Sequence, residues 1–363
     1  MERIEGIEAA ARPLWAVLLT GQPPASPPPP ADAVSVLAQR LARRLSPAWV
    51  ASLLEPLTTS DIVSPLDPAK THQALLMARL TLGAQAQAMR LMAEAGLEAV
   101  ALKGFAHAHA LYPDPAARIT GDLDVLIRRE QLAAVIDLFG KRNYAFAADG
   151  RRRWGFVADA SFVPFFSPDG LCNIDLHIEA DSWPLHVGLP ADDVRKAARR
   201  VAYAHGIFAA PSPEHAFLIA ISNIAKDRFF APTLSKLIDL SRLLARHQSG
   251  LDWQEIERRG RRSALMPAMN VSLALLVALG LPQRLVPEAL SRRPTGLSGH
   301  AFSRMLADWL AMFPRDPSNA ALLAREALLA REPSTFVALN LRRLRGLLRR
   351  GDGIPPEARL SPS

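Results

Sequence analysis

The seven residues Gly121, Asp122, Leu123, Asp124, Val125, Leu126 and Ile127 constrain this chain more than any other stretch. They make a short apolar run of strand character, and a strand sends residues i and i+2 to one face, roughly 7 Å apart. Asp122 and Asp124 therefore share a face, while Leu123, Val125 and Ile127 point into a core. Two carboxylates at the start of an otherwise apolar strand are costly to desolvate unless a positive charge sits between them.

A second segment repeats the arrangement. From Asn173 to Ile178 polar and apolar residues alternate, so Ile174, Leu176 and Ile178 face inward and Asp175 shares the other face with His177. With this strand beside the first, Asp175 completes a three-carboxylate cluster. Mg²⁺ prefers hard oxygen ligands of this kind, and such clusters hold two metals about 3.5–4 Å apart. His177 either bonds a phosphate or metal-bound water, or makes a structural bond to backbone. Upstream, Leu102, Lys103 and Gly104 close the apolar run from Leu97 and open a helical stretch from Phe105 to Leu111. A glycine there lets backbone approach a phosphate, a helix N-terminus favours anions, and Lys103 supplies a point charge. The spacing is not that of a P-loop, which needs an upstream glycine that this chain lacks.

Around this centre the chain reads as helix, then mixed sheet, then helix. A polyproline stretch from Gln22 to Pro30 precedes helical patterns over Ala33–Leu45, Pro47–Leu54 and Thr71–Ala95. In the last of these, Leu75, Leu76, Leu80, Leu82, Met89 and Met92 mark an apolar side, and Gly96 is a helix stop. A helix from Glu130 to Lys141 follows the first carboxylate strand. Two extended segments, Trp154–Phe166 and Leu171–Ile178, then flank the turn-forming Ser167 to Gly170. From Pro213 the pattern is helical to Arg350. The expected organisation is a helical region over 1–95 with its proline-rich linker at 22–30, an α/β region over 96–205 and a helical region over 206–363. His107 and His109 diverge on a helix and are expected to be partly exposed. Lys226 and Arg228 either reach a triphosphate or form a solvated helix end, and Asp239 is expected to cap or orient helices.

Composition narrows the function classes. One cysteine, Cys172, excludes a disulfide framework and a cysteine-based zinc site, and suits a reducing compartment. The acidic opening Met1-Glu2-Arg3-Ile4-Glu5 is unlike a secretory signal, and the apolar run Ala264–Leu281 carries Pro267, Asn270 and Ser272. We read that run as a buried helix rather than a membrane span and expect a cytoplasmic protein. The net charge of +8 is carried by residues 206–363, and a basic helix with Arg342, Arg343, Arg345, Arg349 and Arg350 lies near the end. That asymmetry fits either a polyanionic partner or a general arginine bias.

The stretch Leu102-Lys103-Gly104, the turn Leu111-Tyr112-Pro113-Asp114-Pro115, Arg118, the Asp122–Leu126 run and Ile174-Asp175-Leu176-His177 together resemble the bacterial uncharacterised nucleotidyltransferase family. This family lies within the polymerase-β-like nucleotidyltransferase superfamily, and the likeness runs from about Thr71 to Arg261. It implies an α+β fold, a small mixed-sheet nucleotidyltransferase palm between helical N- and C-terminal regions. It further implies Mg²⁺- or Mn²⁺-dependent transfer of a nucleoside monophosphate from an NTP, with ATP the expected nucleotide, and release of pyrophosphate. Asp122, Asp124 and Asp175 would be metal ligands and catalytic carboxylates; Lys103, Gly104 and Arg118 would hold the nucleotide phosphates. The chain departs from the wider superfamily in having Lys103-Gly104 where Gly-Ser is usual, and Thr120-Gly121 before the first carboxylate. The acceptor stays open among tRNA, peptide, protein and small molecule. Two alternatives are a toxin-like enzyme modifying tRNA or protein, and a non-catalytic nucleotide-binding accessory protein of a peptide-modification pathway.

Overall fold

Local sequence signals set the element ends. The computed structural model describes residues 13–21, 31–57, 66–146 and 165–308, with scattered positions between 312 and 341. The elements are α1 (residues 13–20), α2 (Ala31–Ala42), α3 (Pro47–Leu54), α4 (Pro68–Glu94), β1 (Val100–Ala101), α5 (Lys103–Leu111), β2 (Asp122–Leu126) and α6 (Leu132–Gly140). There follow β3 (Ala145–Phe146), β4 (Phe165–Phe166), β5 (Asn173–His177), α7 (Leu185–Gly188), α8 (Ala191–Lys196), β6 (Arg199–Tyr203) and β7 (Gly206–Ala210). The rest is α9 (Pro213–Asp227), α10 (Ala231–His247), α11 (Trp253–Arg262), α12 (Met266–Ala278) and α13 (Gly296–Ala307). Ser46 caps α3 through its Oγ, which accepts from Trp49 N at 3.1 Å, and Pro47 opens the helix. Gly96 stops α4 in the left-handed region at φ +69°, and Leu97 N returns to Met92 O at 3.0 Å.

The chain divides into two compact units, residues 1–76, 220–254 and 265–336 in one, and 77–219, 255–264 and 337–363 in the other. The first is helical. Its core holds Trp15, Leu18, Leu237 and Leu275, and Trp15 meets Phe313 edge-on with ring centres 5.9 Å apart. Burying each such side chain contributes about 1.5–3 kcal/mol. The expected polyproline segment and most of the basic C-terminal helix lie outside the described residues.

The second unit holds a seven-stranded mixed sheet in the order β3-β4-β5-β2-β1-β7-β6. The central pair β2 and β5 is parallel, β1 runs antiparallel to β2, and β7 runs parallel to β1. The fold is thus a mixed α/β arrangement with an open sheet flanked by helices, as the sequence implies. The sheet continues through residue 210, past the boundary expected at 205. Arg199, Arg200 and four alanines hide the alternation of the β6–β7 hairpin, whose turn lies at Ala204 and His205. The extended segment expected from Trp154 falls outside the described residues except for Phe165 and Phe166, which pair with both β3 and β5. In α4 the apolar side is only half used: Leu82, Met89 and Met92 are buried, whereas Leu76 and Leu80 stand exposed. His107 is buried, contrary to the expectation of a partly exposed residue. Among the described residues no helix is long and apolar enough to cross a membrane.

Candidate active site

Period-two alternation builds the centre of the site. Leu123, Val125, Ile174 and Leu176 are wholly buried, so the residues between them are turned to the opposite face of the sheet. In the parallel pair Asp122 lies opposite Asn173, Asp124 opposite Asp175, and Leu126 opposite His177. Residues paired in this way point to the same side, which brings Asp124 and Asp175 together although they are far apart in the chain. Asp124, Asp175 and His177 offer ligand atoms all within 4.8 Å of one another. Asp122 stands outside that group. It is exposed, and its Oδ1 accepts from Asn173 Nδ2 at 2.7 Å.

Lys103 enters from the joint between β1 and α5. Its Nζ donates to Asp124 Oδ1 at 2.7 Å, and His177 Nε2 meets the same oxygen at 2.9 Å. Burial works against charge on Asp124, but the Lys103 ammonium and the His177 bond outweigh it and hold the carboxyl well below the usual range. Burial also opposes the charge on Lys103, yet Asp124, Asp181 and Asp175 raise its pKa above the ordinary value. His177 is lowered, first by burial and then by Lys103, so at neutral pH it is the uncharged imidazole. An ionised Asp124 then assigns the proton to Nε2 and leaves Nδ1 an acceptor. That Nδ1 is buried without a hydrogen-bond partner, as is Asn173 Oδ1.

The loop before β2 is held from the helical side. Gln85 of α4, fully buried, donates from Nε2 to Gly121 O at 3.1 Å, and its Oε1 accepts from Thr120 Oγ1 at 2.8 Å. Arg118 is buried, donates to Ile119 O at 2.7 Å, and lies across Gly104. A Cβ at Gly104 would come within 3.0 Å of Arg118 Nη1, so the glycine here makes room for the guanidinium. Lys103 itself takes φ +49°, a left-handed conformation that costs a non-glycine residue about 1–2 kcal/mol.

Of the six residues expected from sequence, Lys103, Asp124 and Asp175 thus converge, with His177 as a fourth participant. Gly104 and Arg118 pack against each other, and Asp122 sits at the exposed start of β2. Sequence reasoning missed Asp181 and Gln85. Asp181 is 2% exposed in the loop after β5, and its charge acts on both Lys103 and His177. No spacing cue points to it, and nothing local in sequence ties Gln85 to Gly121. Elsewhere, Arg228 pairs with Glu326 at 3.0 Å, Asp227 pairs with Lys236, and Asp239 is buried in α10.

The donor set suits a hard divalent cation: two adjacent carboxylates, with an imidazole nitrogen beside them. The buried, unpartnered nitrogen of His177 adds a polar atom that the protein itself leaves unsatisfied. A family model described as uncharacterised nucleotidyltransferase matches residues 38–280, a span that includes every residue of the cluster. Comparison with curated proteins and with solved structures gave no match.

Proposed function

The chain belongs to the uncharacterised nucleotidyltransferase family, and on that premise we propose that it moves a nucleoside monophosphate from an NTP, ATP in the first place, to an acceptor hydroxyl in the cytoplasm. The observation that carries this reading is the pairing of Asp124 with Asp175 across β2 and β5, beside Lys103 and His177. The free Cys172, buried and pushed up to about 12 by burial first and by nearby carboxylates, is inert and suits a reducing compartment.

In this reading Asp124 and Asp175, with His177 beside them, would hold Mg²⁺ or Mn²⁺, which would supply charge neutralisation for the triphosphate and polarise the phosphate under attack, and Asp122 at the exposed start of β2 would add a further carboxylate. Asp175 takes the proton of the acceptor hydroxyl as its oxygen bonds to the α-phosphorus. The bond from that phosphorus to the bridging oxygen breaks, and pyrophosphate leaves. Lys103 and Arg118 neutralise the phosphates, and the N-terminal turn of α5 presents backbone N–H groups at Gly104. Gln85 fixes the backbone that leads into β2, so the carboxylates meet the nucleotide in one geometry.

The test is incubation of the purified protein with NTPs labelled at the α-phosphate and cell extract. Labelled product is expected to form with Mg²⁺ or Mn²⁺, to disappear with a chelator, and to fall about 10³-fold in Asp124→Ala and Asp175→Ala, the scale of losing a group that stabilises transition-state charge. Labelling by these variants at the wild-type rate overturns the assigned roles.

A further inference from the structure

Lys103 is expected from sequence to face nucleotide phosphates, yet its ammonium lies on Asp124. The two hydrogen bonds to Asp124 Oδ1 use both lone pairs of that oxygen, one with Lys103 Nζ and one with His177 Nε2. The ammonium therefore occupies the place where a cation would approach Asp124. Its side chain is 22% exposed and that of Asp124 14%, so the pair is shielded from solvent yet keeps an outlet. The joint that carries it is unusual. A left-handed φ at a strand-to-helix turn is ordinarily given to glycine, but here it is spent on a lysine, followed immediately by a glycine of ordinary φ. Backbone held in a sparsely populated region clusters at switch and active sites, where an alternative position of the side chain matters.

Building on the nucleotidyl-transfer reading above, we propose that Lys103 is a place-holding cation. Its ammonium neutralises Asp124 while the site lacks nucleotide, and turns to the triphosphate when nucleotide and divalent cation enter together. Lys103 is then a positioning residue that couples the two ligands. A divalent cation alone meets a site whose best carboxylate is already neutralised and whose nearest neighbour repels it. Nucleotide removes that obstacle by offering the ammonium a more strongly charged partner, so metal and nucleotide bind with positive cooperativity. This arrangement keeps the empty site from holding a metal that has no substrate to act on.

The experiment measures Mn²⁺ affinity by the loss of the free-ion electron paramagnetic resonance signal, with and without α,β-methylene-ATP. The proteins are wild type, Lys103→Gly, Lys103→Gln and, as a control, Lys141→Gln. Glycine suits φ +49°, so Lys103→Gly removes the ammonium and relaxes the backbone together, while Lys103→Gln keeps a hydrogen-bond donor without the charge. Both Lys103 variants are expected to bind Mn²⁺ alone about tenfold more tightly than wild type, a change of about 1.4 kcal/mol. The nucleotide analogue is expected to tighten Mn²⁺ less in them than in wild type. Lys141→Gln, which removes an exposed lysine paired with Asp137 on α6, is expected to stay within about twofold of wild type. Unchanged or weaker Mn²⁺ binding in both Lys103 variants overturns the proposal while leaving the metal site standing, and so does equal tightening by Lys141→Gln. Absence of Mn²⁺ binding in all four proteins overturns the metal-site reading itself, and this inference with it.

Discussion

Two charge clusters in the sheet-containing unit are built on different plans. Around Asp124, the carboxylates of Asp175 and Asp181 add to its own charge, whereas Lys103 is the cation bonded to it and His177 is neutral. Around Arg259 the balance is closed. Its Nη1 donates to Asp193 Oδ2 at 2.8 Å and to Gly188 O at 3.0 Å, its Nε donates to Glu255 Oε1 at 2.5 Å, and Arg258 supplies a second cation to Glu255. Two acids meet two bases, and Glu255 Oε1 accepts from both arginines. Asp193 lies low chiefly because it accepts from Arg259, and Glu255 lies low against its burial because both arginines bond it. A closed balance is a clamp that ties α7 and α8 to α11. At Asp124 a lysine and a histidine share one carboxylate oxygen with a second carboxylate alongside, an arrangement that makes sense where a cation is to be received.

That contrast is broken most severely at the clamp's tightest point. A Cβ on Gly188 would lie 2.2 Å from Ser263 Oγ and 2.4 Å from Arg259 O. The second atom is backbone and cannot swing aside, so Gly188→Ala is expected to cost about 3 kcal/mol in urea unfolding. Mn²⁺ affinity of the folded fraction should be unchanged. Arg259→Met is milder: it leaves the clamp's two acids with Arg258 alone and Gly188 O without its donor. A loss of about 2 kcal/mol is expected in the same assay, since part of each acid still reaches solvent. If Arg259→Met were as stable as wild type, the distinction between a closed and an open charge balance would lose its meaning here.

The open cluster is also the part that the sequence displays best. Alternation in Asn173–His177 and in Gly121–Ile127 separates core-facing from polar residues without any tertiary information, because a strand has only two sides. What alternation cannot supply is the partner of each polar group. That Lys103 rests on Asp124, and that His177 shares its oxygen, depends on β1 and β5 flanking β2 on either side, which is a matter of sheet order. Gln85 and Asp181 were invisible for the same reason, since each acts across a tertiary contact. The β6–β7 hairpin is hidden differently: its inward positions Val201, Tyr203, Phe208 and Ala210 alternate with Arg200, two alanines and an exposed Ile207, so the apolar contrast is too thin to read. The helix ends fared better, because Ser46 and Gly96 act on backbone groups within a few residues of themselves.

The smallest effect expected concerns pH and a third kind of environment, one with almost no charge at all. His109 on α5 sits among Phe105, Tyr203 and Phe208, with ring centres 4.6, 5.7 and 5.8 Å away, and its Nε2 is buried without a partner. Burial first, and His205 second, push its pKa down to about 4 from 6.5. The folded state therefore binds fewer protons than the unfolded state between those values. Stability is full above pH 6.5 and is lost as pH falls towards 4. His109→Phe keeps the aromatic packing and removes the titration. Wild type should lose about 1 kcal/mol more than this variant between pH 7.5 and pH 5, a figure reduced for partial solvent screening of the ring. Asp193 and Glu255 titrate below their unfolded values in both proteins and cancel in the difference, which isolates the histidine. An identical pH dependence for the two proteins would show that His109 accepts its proton without cost, and that this aromatic cluster is wetter than its ring contacts imply.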